Sequence, residues 1–165
     1  MKRVLYLTIV CLGFKCIASA QFVPSILWGK WIVQRELPTR TIACWGDREA
    51  EALIGTELEY SSGVFRWRQT VTNNPVTETT TVTSLRFQDE NSGRGTNSSQ
   101  VTFDQLGIKE RQAVRIVIRH PPASITGATI EIPGDRVLVK DQDTIVFSVC
   151  NIYFEARRSA APGRN

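Results

Sequence analysis

The sequence has little of what most catalytic and metal centres need. It holds one histidine, His120, in 165 residues, so no His-Glu-x-x-His pattern exists. Neither a nucleophile elbow nor a phosphate-cradling glycine loop is present. Asp89-Glu90 and Asp141/Asp143 are carboxylate pairs, but they stand in polar stretches where solvation is the simpler role. His120 precedes Pro121-Pro122 and reads as a rigid exit from a strand. No catalytic residue, metal ligand or cofactor is expected, and the chain is not read as an enzyme.

Basic charge is also scarcer than it first looks. The formal net charge is +4, from 20 Lys+Arg against 16 Asp+Glu, but Lys2, Arg3 and Lys15 belong to an N-terminal leader that contains no acid, so the remainder carries +1. No basic stripe with interleaved aromatics is present, which argues against a nucleic-acid surface. No apolar run reaches the roughly 20 residues of a membrane-spanning helix. No internal repeat or linker divides the chain.

What is present begins with that leader. Lys2 and Arg3 precede an apolar run over residues 4–14 and the small-x-small pattern Ala18-Ser19-Ala20, which together predict a signal peptide over residues 1–20, cut before Gln21. The mature chain is therefore expected to be secreted or periplasmic. Of four cysteines, two lie in the leader. Cys44 and Cys150 remain, an even pair in an oxidising compartment, and a disulfide between them is expected.

About 145 residues follow, enough for one domain with one core. Their periodicity is that of strands, with eight expected at 26–37, 56–60, 64–70, 75–84, 113–119, 128–132, 136–140 and 144–157. Short helices are expected over 47–55, with Asp47 as N-cap and Gly55 as a left-handed terminator, and as one turn over 102–107. The polar stretch 88–100 reads as an exposed loop, in which Asn97-Ser98-Ser99 fits the glycosylation acceptor pattern. Residues 159–165 read as a frayed tail after a domain spanning 21–158. Arg66, Arg68, Arg115 and Arg119 fall on polar strand faces, as a solvated surface requires. Eight sequential antiparallel strands predict an all-β, eight-stranded up-and-down barrel, because closure removes both exposed edges.

Gly29-Lys30-Trp31 on the first strand resembles the Gly-x-Trp signature of the lipocalin and wider calycin group. The resemblance implies that Trp31 plugs one end of the barrel under a cation from the last strand, with Arg157 in that place and Arg158 as its alternative. A late disulfide tying an early loop to the C-terminal strand is also lipocalin-like. Two functions of different class remain open. In one, the barrel binds a small apolar or amphipathic molecule, lined by Tyr60, Phe65, Trp67, Phe147 and Tyr153. In the other, it is a rigid platform whose loops bind an exported protein partner, for instance as an inhibitor of an exported hydrolase.

Overall fold

The structure, a computed structural model, describes residues 22–39, 44–84, 101–119 and 131–159. The expected signal peptide, the Asn97 acceptor pattern, loop 88–100, His120 and the tail from residue 160 lie outside the described residues. The described part is one antiparallel sheet of nine strands, curled into a half-barrel. These are β1 (Gly29–Glu36), β2 (Glu57–Ser61), β3 (Val64–Trp67), β4 (Thr70–Asn73), β5 (Val76–Thr83), β6 (Gln112–Arg119), β7 (Arg136–Val139), β8 (Thr144–Val149) and β9 (Ile152–Arg158).

The sheet order is β4-β3-β2-β1-β9-β8-β7-β6-β5, so β1 joins β9, the last strand, and β4 and β5 form opposite edges. Those edges are consecutive in the chain, separated only by Asn74 and Pro75. Three Cα steps span at most about 11 Å, so the curl brings the edges together at this point. The antiparallel pairings around the sheet also give β4 and β5 the same direction.

Several expected elements change. The stretch 64–70 breaks into β3 and β4 at Arg68, which takes φ 52°. The stretch 144–157 is a hairpin, because Cys150 and Asn151 both adopt positive φ, 53° and 62°, as a two-residue type I′ turn demands. Of 128–132, Glu131 and Ile132 are not in a strand, and residues 128–130 lie outside the described residues. The helix expected over 47–55 is shorter: α1 covers Asp47–Glu51, with Gly46 rather than Asp47 as its N-cap. Gly55 does take the left-handed conformation, at φ 81°. Residues 102–107 make a single turn in which Thr102 N–H donates to the Gln105 side chain at 2.8 Å.

Alternation sends side chains to two faces. The concave face carries the main core, including Trp31, Tyr60, Phe65, Phe147 and Phe154. A 3₁₀ turn, Ser25–Leu27, adds Leu27 to this core, and the segment around α1 adds Ala50 and Leu53. The convex face carries a second cluster, in which Val101, Phe103, Leu106 and Ile108 cover Leu138, Val146 and Tyr153. A register shift between Val33 and Arg35 separates the two destinations within β1. Trp31 and Val33 point inward, and strict alternation would send Arg35 after them. The bulge instead pairs Arg35 with Glu155 and delivers Leu37 to the convex cluster.

The Cys44–Cys150 disulfide is formed, with Cα atoms 5.1 Å apart, inside the usual range. It pins the segment leading into α1 to the tip of the β8–β9 hairpin. No helix among the described residues is long and apolar enough to cross a membrane.

Candidate functional site

The Gly29–Trp31 end of the sheet is the most elaborated site. Trp31 is fully buried, and its indole N–H donates to the Leu27 carbonyl at 2.7 Å. The guanidinium of Arg158 lies 4.1 Å from the centre of the Trp31 ring system, within cation–π reach. Arg158 also donates to the carbonyls of Trp28, Ile26 (2.8 Å) and Gln142 (3.0 Å). One side chain thus joins the 3₁₀ turn, the first strand and the β7–β8 turn.

Arg157, the residue placed over Trp31 by the sequence reading, does not take that position. Trp31 is in register with Arg158, so these two share a face, while Arg157 pairs with Ile32 and points to the convex side. There its Nε lies 4.0 Å from Glu155 Oε1. Gly29 has φ 121°, and a Cβ there would lie 3.2 Å from Arg158 Nη1. The backbone angle favours glycine, and a side chain there would also press on the Arg158 guanidinium.

Four of the five aromatics considered for a ligand site come together on the concave face. Tyr60 stacks on Phe65 with ring centroids 5.1 Å apart, and Phe147 on Phe154 at 5.4 Å. Trp67 packs at the margin of the same cluster, and its indole nitrogen is buried without a hydrogen-bond partner among the described residues. Tyr153 is not with them. It faces the convex cluster beneath the 101–108 segment.

Tyr60 also closes the interior from across the sheet. Its hydroxyl donates to the Gly134 carbonyl at 2.8 Å. Burial, with a smaller effect from the Asp135 carboxylate, pushes this phenol well above its ordinary pKa, so it acts as a neutral donor. Gly134 has φ 88°, and a Cβ there would lie 2.6 Å from the Tyr60 hydroxyl and 3.0 Å from Leu58. The turn before β7 therefore approaches β2 with no space for a side chain.

The polar chemistry of the described residues lies elsewhere. On the convex face, Glu155 is enclosed by Lys140, Arg35 and Arg157. Among the described residues, no group of three or more His, Cys, Asp or Glu is placed to hold a metal ion. Near the 3₁₀ turn, Phe22, Ile26 and Trp28 are 57%, 40% and 45% exposed. The hydroxyl of Thr77 donates to the Phe22 carbonyl at 3.0 Å, which ties this N-terminal segment to β5.

No protein-family model, curated protein or solved structure matches the chain.

Proposed function

We infer that this is an exported, non-catalytic protein with a lipocalin-like barrel that acts by binding another protein. The observation that carries this reading is the filled concave face. Tyr60, Phe65 and Phe147, which would line a ligand chamber, are instead 1% exposed or less and packed against one another and Trp31. A side chain spent on a solid core is not available to a guest.

The barrel reading rests on β4 and β5. Read as one strand bent at Asn74-Pro75, they reduce nine strands to eight, and each half of the bent strand pairs with a different neighbour, β3 or β6. The arginine-covered Trp31 supports the lipocalin-like resemblance at the same end. Phe22, Ile26 and Trp28 are the surface best suited to a protein partner, because aromatic and apolar groups are what interface cores bury. Export is supported by the Cys44–Cys150 disulfide.

A second reading, binding of a small amphipathic molecule, is favoured by one region. Thr79 and Thr81 pair with Ile116 and Val114 and so share the concave face, yet both are exposed. With the unpaired Trp67 indole N–H, they leave a polar approach to the interior.

Native mass spectrometry of the mature, oxidised protein, before and after organic extraction, separates the two. A bare mass, two protons below the reduced value, is expected. A co-purifying small molecule that disappears on extraction overturns the filled-barrel reading. Deleting residues 91–98, or replacing Phe22 and Trp28 with serine, then distinguishes a loop-borne partner site from one on the apolar end.

A further inference from the structure

We propose that Arg35 and Arg157, backed by Lys140, form a binding site for a tetrahedral dianion, a phosphate or sulfate group, on the convex face of β1 and β9. Three cations converge there on one carboxylate. Lys140 Nζ lies 2.9 Å and Arg35 Nη2 3.3 Å from Glu155 Oε2, and Arg157 Nε lies 4.0 Å from Glu155 Oε1. The carboxylate is beneath and the guanidinium groups are on top. The Glu155 side chain is 4% exposed, against 60% for Arg35 and 66% for Arg157.

Charge decides the class of ligand. Three positive groups and one negative leave a local excess of +2, which a carboxylate would only half neutralise and a dianion matches. Lys30, the next cation along β1, is already paired with Glu57 at 2.7 Å and is not part of this excess. Geometry agrees with charge. The Arg157 side chain makes no hydrogen bond to any described residue, so its planar fork of donors remains open to an oxyanion. The bulge after Val33 brings Arg35 to the same carboxylate from the neighbouring strand. Lys140 is held from the other side by the 101–108 segment, where a Cβ on Gly107 would come within 2.9 Å of its Nζ. It supplies charge while the two arginines make contact.

This site is separate from the proposed protein-binding end and does not depend on that reading. The test is a titration of the folded, oxidised protein at constant ionic strength, following the arginine Nε–Hε signals by NMR. The probes are inorganic phosphate, sulfate, glycerol phosphate and acetate. Saturable shifts of Arg35 and Arg157 with phosphate and sulfate are expected, at least about tenfold tighter than with acetate. Glycerol phosphate binding as well as the free ion identifies an ester-borne phosphate as a competent ligand, whereas preference for inorganic phosphate identifies the free ion.

Arg157→Gln, whose side chain makes only the long contact to Glu155, is expected to weaken phosphate by about tenfold. Glu155→Gln should tighten it, because the local excess rises to +3. Shifts that stay linear, match those with acetate, or persist unchanged in Arg157→Gln overturn the site. If Glu155→Gln fails to fold, Arg157→Gln alone decides.

Discussion

The two faces of the sheet are made by the same strands and bury themselves by different means. The concave face buries aromatic side chains, with Trp31, Phe65, Phe147 and Phe154 all 1% exposed or less. Among the described residues, the segment 101–108 covers the convex face, which keeps a charged cluster beside its apolar one. Strand β8 belongs to both, since Ile145 and Phe147 pack inward and Val146 outward. The inner core therefore draws side chains from seven of the nine strands, β1–β3 and β6–β9, whereas the outer cluster, among the described residues, is covered by the 101–108 segment.

The sharpest way to break the inner face is to free its cap. Removing the bridge with Cys44→Ser and Cys150→Ser, which span 106 residues, should lower stability by roughly 4–5 kcal/mol. Urea denaturation read by tryptophan fluorescence measures it. Phe154→Ala, which opens a cavity among stacked rings, should cost about 3–5 kcal/mol in the same assay. Leu106→Ala tests the outer face. A loss of about 2–4 kcal/mol is expected, with hydrogen exchange accelerated at residues 101–108 and little changed at β1 and β9. Equal acceleration on both faces would show that they form one cooperative unit.

The smallest effect concerns Glu155. Burial raises its carboxyl pKa, but hydrogen bonds and charge from Lys140 and Arg35 outweigh burial and hold it below the ordinary glutamate value. A group depressed in the folded state stabilises fully above its unfolded pKa, about 4.3 for glutamate. That contribution is lost as pH falls through the lower native value. The urea midpoint should therefore decline on acidification through this window, and Glu155→Gln should flatten that part of the curve.

Much of this was legible in the chain. Alternation in 113–119 and the turn residues at 141–143 placed β6, β7 and β8, and cysteine counting found the bridge. The cation over Trp31 was legible too, but by parity rather than proximity. Ile152, Phe154 and Ala156 alternate inward, and Arg158, not Arg157, continues that series. Tyr153 leaves the inner aromatic group for the same reason. Other features had no local signal. Nothing in Val33-Gln34-Arg35 announces a bulge, because it is set by pairing with a strand 120 residues later. The break within 144–157 was hidden because Cys150 is not a residue that favours positive φ, and only Asn151 hinted at a turn. The clustering of Tyr60, Phe65, Phe147 and Phe154 depends on which faces meet across the curl, which periodicity does not report.

The partnership of β1 with β9 also has a consequence for assembly. The strand that emerges first from any N-to-C process, whether synthesis or transport, must wait for the one that emerges last. Until residues 152–158 arrive, β1 has one edge unpaired, and Trp31 has no arginine above it. A chain truncated before β9 therefore lacks more than its final strand: it presents a sticky, half-finished edge at its beginning. Only when residues 152–158 are in place is this edge of β1 covered.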